Sequence, residues 1–136
     1  MKHELRSSCP IAASLDIFGD RWTLLILRDM LLGGHRHFSE FAVNEGIATN
    51  VLTDRFNRLV EVGLIDKIAD PEDGRRVVYL PREPAIELTP ILAEIMAWGL
   101  NNTAAPTTAE SGPLLVEKSR QAFVKARMAA ARSAIR

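Results

Sequence analysis

The stretch "GIATNVLTDRFNRLVEVGLI", residues 46–65, runs straight into "DKIADPEDGRRVVYL". That junction constrains the fold more than any other part of the chain. In the first segment Val51, Leu52, Phe56, Leu59 and Val60 recur at helical spacing and make one apolar stripe. Gly63 stands where a helix ends, at the position that favours a left-handed residue. The period then changes. "LIDKIA" and "RRVVYL" are rich in β-branched and aromatic residues, and the Asp73-Gly74 pair between them predicts a hairpin. Two strands alone are marginal, so the hairpin must lean on the helices.

The other face of that helix carries Asn50, Thr53, Asp54, Asn57 and Arg58. These side chains hydrogen-bond well and are costly to bury. Periodicity leaves two readings open: an ordinary solvated face, or a surface that reads a hydrogen-bonding partner.

Upstream, "CPIAASLDIFG" predicts a short helix with Pro10 in its first turn and Ile11, Leu15 and Phe18 at helical spacing. "DRWTLLILRDMLLGG" predicts a second helix with Asp20 as N-cap, Trp22, Leu25, Ile26 and Leu32 at helical period, and Gly33-Gly34 as its stop. "RHFSEFAVNEG" predicts a shorter third helix, starting near His37 or Ser39, with Phe38 and Phe41 inward and Gly46 closing it. After the hairpin, "PAIELTPILAEIMAWG" is helical again, with Pro84 near its start and Pro90 placed to split or kink it. Residues 101–113, "NNTAAPTTAESGP", have linker composition. Residues 114–136 predict a final helix rich in Ala and Arg. The expected organisation is residues 1–100 as one domain, 101–113 as a linker and 114–136 as a basic C-terminal helix.

A chain of 136 residues can bury a core of its own. The single cysteine, Cys9, excludes an internal disulfide. The N-terminus has no apolar run that would predict a secretory signal, and no stretch is apolar enough to span a bilayer. A cytoplasmic location and no membrane partner are therefore expected. Lys and Arg number 17, as do Asp and Glu, which counts mildly against a nucleic-acid binder. The distribution is uneven. Residues 114–136 hold six basic residues and one acidic, which leaves eleven basic and sixteen acidic in residues 1–113. No Ser/His/Asp arrangement, phosphate-cradling glycine loop or metal-binding helix motif is present, so an enzyme is not expected. His35, His37 and Cys9 are too few for a metal site, and no cofactor or metal is expected.

The order of helix, helix, helix, helix, hairpin, helix is that of a helix-turn-helix with a wing. The residues also resemble a known family. "CPIAASLDIFGDRWTLLILRDMLLG" is similar to the opening of the HxlR-type winged helix-turn-helix regulators. "RHFSEF", "GIATNVLTDRFNRLVEVGLI", "VVY" and "PILAEIMAWG" follow in matching order, so the resemblance covers about residues 7–100. Two departures stand out. Ala48-Thr49 replaces a common Ser-Pro at the start of the recognition helix, and Pro81-Arg82-Glu83-Pro84-Ala85 replaces Leu-Thr-x-x-Gly after the wing. The first would alter the cap or the bases read, the second the start of the next helix.

The resemblance implies a mainly α fold with a small β-hairpin, a winged helix-turn-helix plus a C-terminal helix. It implies a sequence-specific, double-stranded-DNA-binding transcriptional regulator, expected to repress. Helix 49–62 would read the major groove, and wing 70–76 would contact backbone or minor groove. Asn50 and Asn57 suit adenine edges, Arg58 suits guanine, and Thr53 suits a base or a thymine methyl. Thr49 would cap the helix or touch a phosphate. Arg55 would reach a phosphate or form a scaffold ion pair. Arg75, Arg76, Arg21 and Arg36 are further phosphate candidates. The resemblance also implies a homodimer paired through the first and fifth helices, which the apolar residues Ile91, Ile95 and Trp98 would suit unless they only pack on their own core. The basic tail would cross to the partner subunit, add phosphate contacts, or fray.

Cys9 heads a helix, where the dipole favours a thiolate, and some relatives sense oxidants or electrophiles there. The plainer reading is a small buried hydrophobe. A regulator whose DNA binding answers to an electrophile or small-molecule effector, at Cys9 or in a dimer pocket, is thus an alternative. A protein–protein adaptor on the same scaffold is a third.

Overall fold

A computed structural model describes residues 7–41 and 45–135. Helix α1 spans Pro10–Phe18 and α2 spans Arg21–Leu31. Cys9 in extended conformation and Pro10 in the first turn start α1. Asp20 caps α2, its carboxylate accepting from the Thr23 N–H at 3.0 Å and from the Thr23 hydroxyl.

The predicted third helix is, among its described residues, a single 3-10 turn over Phe38–Glu40. Side chains at i and i+3 eclipse in that geometry. Phe38 and Phe41 therefore turn the same way, toward Phe56, with ring centroids 5.5 and 4.8 Å from it. Residues Ala42, Val43 and Asn44 of the expected helix lie outside the described residues. Gly46 (φ 69°) then reverses the chain into α3, Thr49–Glu61.

Helix α3 buries Leu52, Phe56 and Leu59, whereas Val60 of the expected stripe lies at its edge and is exposed. Gly63 (φ 83°) takes the left-handed position after α3, as its placement predicts. Phe56 is 1% exposed and packs edge-on to Phe41 and tilted on Tyr79, its centroid 4.5 Å from the tyrosine ring.

Strands β1, Ile65–Ala69, and β2, Val77–Pro81, pair antiparallel with Lys67 opposite Tyr79. The free edge of β2 is also used, since the Tyr79 N–H donates to the Arg36 carbonyl at 2.8 Å. The hairpin forms, but not by a tight Asp73-Gly74 turn. Its connection runs from Asp70 to Arg76, closed by Arg76 N–H to Asp73 O and Asp70 N–H to Arg76 O, both 2.9 Å, and Gly74 is not among the positive-φ glycines.

Beyond the wing, the predicted helix is split before Pro90 into a single turn, α4 at Glu83–Ile86, and α5 at Thr89–Asn102. Each proline falls in a first turn, where no intrahelical N–H is lost. The buried Thr89 hydroxyl donates to Ile86 O at 2.7 Å and joins the two pieces. Ile26, Leu27 and Met30 of α2, with Ile86 and Leu92, complete the core.

The C-terminal helix α6 spans Glu117–Ala134 and lies on its own body, packed against α2, α4 and α5. Leu114, in the turn before it, and Ala131 are buried. Arg120 donates to Glu94 Oε1 at 2.8 Å and to Leu114 O at 2.6 Å, and Arg132 pairs with Glu83. None of the three roles expected of the tail anticipates this. Two of its arginines, Arg120 and Arg132, answer acidic residues of the same chain. No helix among the described residues is long and apolar enough to cross a membrane.

Candidate nucleic-acid interface

The packing that buries Leu52, Phe56 and Leu59 turns the opposite face of α3 to solvent, with Thr49, Asn50, Thr53, Asp54, Asn57 and Arg58 all exposed. Asn50, Thr53 and Asn57 stand three and four residues apart, on one strip of the helix. Among the described residues their side chains have no hydrogen-bond partner, so three sets of amide and hydroxyl groups face outward together. Thr49 does not cap the helix. Ala48 holds the N-cap position, with φ −68° and ψ 141°, and offers no side-chain acceptor. The N–H groups of the first turn of α3 therefore have no side-chain cap.

The two arginines of α3 are drawn the other way. Arg55 donates from Nε to Asp20 Oδ2 at 3.0 Å and from Nη1 to Asp54 Oδ2 at 2.7 Å, so of its two expected roles the structure shows the scaffold ion pair. The hydrogen bond to Asp20 raises the Arg55 guanidinium above its ordinary value. Burial pushes the Asp20 carboxyl up, but the Thr23 hydroxyl and N–H and the Arg55 guanidinium outweigh it and hold it below 3.8. Arg58 donates from Nη2 to the Asp16 carbonyl at the end of α1, at 2.8 Å. Both arginines thus reach toward the α1–α2 junction.

On the wing, the Arg75 side chain is 92% exposed and only loosely paired to Asp73 at 3.2 Å. Arg76 and Lys67 line an open groove of about 360 Å3 with His37, Ser39 and Tyr79. His37 ties this edge together, with Nε2 2.9 Å from Asp70 Oδ2 and Nδ1 3.3 Å from Glu40 Oε1. The backbone N–H groups of His37 and Arg36 donate to Glu40 and hold its carboxyl below its ordinary range. The bond from His37 does the same for Asp70.

Two of the expected phosphate contacts come out differently. Arg36 is half-buried and donates to the carbonyls of Met30 and His35 at 2.9 and 2.8 Å. That burial lowers its guanidinium from the ordinary value and commits it to holding the loop before the 3-10 turn. Arg21 remains exposed, its guanidinium 5.1 Å from the centroid of the Trp22 ring.

Sequence reasoning missed Asp20 as a partner of Arg55 on α3 and Lys67 as a basic group beside the wing. Asp20 was legible as a cap, but nothing in the spacing pairs it with a residue 35 positions later.

Away from α3, Ile91, Ile95 and Trp98 do not pack on their own core. They line an open apolar hollow of about 430 Å3 with Pro90 and Glu94, and Trp98 is 64% exposed. On α1, Ile11 and Leu15 are 71% and 54% exposed. Cys9 is exposed rather than a buried hydrophobe, its N–H donating to Ser7 Oγ at 3.1 Å.

Comparison with known proteins gives this geometry a family. The description "HxlR-like helix-turn-helix" matches residues 17–106. The chain is 38% identical over 89 residues to the HTH-type transcriptional regulator Rv3095 of Mycobacterium tuberculosis, covering 65% of this chain and 56% of that protein. It thus spans little more than half the length of that relative. It is 34% identical over 92 residues to the HTH-type transcriptional regulator YvaP of Bacillus subtilis, covering 66% of this chain and 84% of that one. The crystal structure of PA1607, a candidate transcription factor, superposes with a TM-score of 0.68 at 36% identity, over 76% of this chain and 72% of the other. The reduced form of the transcriptional regulator YodB from B. subtilis shares the fold alone, with a TM-score of 0.57 at 22% identity over 74% of this chain and all of that one. The match takes in α2, the turn, α3, the wing and α5, and the chain belongs to the HxlR-like helix-turn-helix family.

Proposed function

We propose that this protein is a transcriptional regulator that binds double-stranded DNA in a sequence-specific manner and represses by occupying its operator. One observation carries the reading. The face of α3 opposite Phe56 presents Asn50, Thr53 and Asn57 side by side, exposed and without internal partners among the described residues. Amide groups pair bidentately with adenine edges and hydroxyls with either type of base, so such a strip suits a major groove. Arg75 and Arg76 on the wing, with Arg21, supply contacts to phosphate or minor groove. Arg36 and Arg55 serve the scaffold, and Arg58 reaches DNA only by leaving Asp16 O.

A second copy of the chain completes the reader. The apolar residues of α5, with Ile11 and Leu15 of α1, form the pairing surface, and two-fold pairing matches a pseudo-palindromic site. Selection of genomic fragments by the purified protein, at moderate salt, tests this. Enrichment of a pseudo-palindrome is expected. Duplex binding without enrichment would remove the base-reading role of α3.

The exposed thiol supports a second reading, in which an oxidant or electrophile acts at Cys9 and DNA binding is the output. Lacking a second cysteine in the chain, an oxidised Cys9 would form a disulfide with a partner or a small-molecule adduct. Oxidant should then release operator from the native protein and leave Cys9→Ser bound. Equal behaviour of the two proteins discards this reading.

A further inference from the structure

We infer that Asp20 is a positioning residue for DNA recognition: one carboxylate caps α2 and holds the Arg55 guanidinium of α3 to the scaffold, so that the recognition face offers hydrogen-bonding groups and not a free cation. The inference rests on α3 being the reading helix.

Both oxygens of Asp20 are engaged. Oδ1 accepts from the Thr23 hydroxyl, and Oδ2 accepts from the Thr23 N–H and from Arg55 Nε. Thr23 is buried, so the carboxylate is fixed to the first turn of α2. Arg55 precedes the buried Phe56 and sits at the border of the two faces of α3. Its other partner, Asp54, is on the outer face with a side chain 70% exposed, where water and salt weaken its pull. Without the Asp20 charge, the guanidinium has only that outer partner and swings toward solvent and DNA. Arg58 is held to the same corner through Asp16 O.

The consequence is selectivity. A cation that reaches a phosphate adds affinity for every sequence alike, whereas amide and hydroxyl contacts depend on the base. A regulator competes against a large excess of non-specific DNA, so the ratio of operator to random binding matters more than affinity itself. An interhelical ion pair with no such role would loosen the fold when removed and weaken all duplexes alike.

The full-length protein is titrated with its selected operator and with random duplex across a range of salt, as wild type, Asp20→Asn, Arg55→Gln and the double variant. Asparagine caps as well as aspartate, so Asp20→Asn removes the charge and keeps the turn. In Asp20→Asn the salt slope on random duplex should steepen by about one unit, and the operator-to-random ratio should fall about ten-fold. Neither change should appear when Asp20→Asn is made on Arg55→Gln. Arg55→Gln alone should keep the wild-type slope.

A wild-type slope in Asp20→Asn, or the same change with Arg55 absent, overturns the inference. So does a slope lowered by about one in Arg55→Gln, which would place Arg55 on a phosphate already. That last variant decides the matter even if Asp20→Asn does not fold. Failure of the wild type to enrich any operator would count against α3 as the reader, while the slopes on random duplex still judge Asp20.

Discussion

Helices α3 and α6 rank in opposite order by net charge and by exposed hydrogen-bonding groups. By charge α6 is the better candidate for DNA, since residues 114–136 hold six basic residues against one acidic, whereas α3 mixes Arg55 and Arg58 with Asp54 and Glu61. In the fold, Arg120 and Arg132 of α6 bind Glu94 and Glu83 of the same chain, and Arg127 lies over Phe123. The arginines of α3 also turn to the scaffold, yet its amides and hydroxyl are left facing out. Net charge marks where a polyanion is attracted. Unpartnered hydrogen-bonding groups on a rigid helix mark where it can be read. Phe56 anchors α3, since its ring meets Phe38, Phe41 and Tyr79 and so links the 3-10 turn, α3 and the wing.

The sharpest break of that contrast is Phe56→Ala. Removing a ring that is 1% exposed should cost about 3–5 kcal/mol, measured by urea unfolding, and should abolish operator binding with it. Asn57→Ala is subtler and more telling. It should leave stability within about 0.5 kcal/mol of wild type, because the residue is exposed. It should also lower operator affinity by about 1–3 kcal/mol in gel-shift titrations while random duplex binds as before. The matching change on α6, Arg120→Ala, should do the reverse. Loss of its bonds to Leu114 O and Glu94 should lower stability by about 1 kcal/mol, and the salt slope of DNA binding should not move. A slope that falls would put α6 on DNA after all.

The smallest effect is one of pH. Glu40, Asp20 and Asp70 all titrate below their ordinary values in the folded state. Each contributes stability that is fully present above the unfolded value, 4.5 for Glu40 and 3.8 for the aspartates, and is lost as pH falls through the lower folded value. The melting temperature should therefore be level near neutrality and drop below about pH 4.5, with a shallower drop in Glu40→Gln.

Much of this was legible in the chain. The apolar stripe of α3, its stop at Gly63, the change to strand period after Leu64 and the split at Pro90 are local patterns, and local patterns survive folding. The exposed strip of Asn50, Thr53 and Asn57 follows from the same stripe, because burying one face of a helix exposes the other. Among its described residues the expected third helix is a 3-10 turn, because the spacing of Phe38 and Phe41 fits such a turn as well as an α-helix. The hairpin turn failed because an Asp-Gly pair permits a tight turn without requiring one.

What the sequence by itself determined is the order of most elements and the polar face of α3, which rest on periodicity, and the resemblance to a family, which rests on motifs of residues near one another in the chain. The tertiary structure alone decided which charges are free. Arg36 was committed to Met30 and His35, Arg55 to Asp20, Arg58 to Asp16, and the tail to Glu83 and Glu94. Each arginine is long and flexible, and its partner is set by which surfaces the packing of α2, α3 and α6 brings within a few ångströms. That packing is a property of the whole core, and no window of residues contains it.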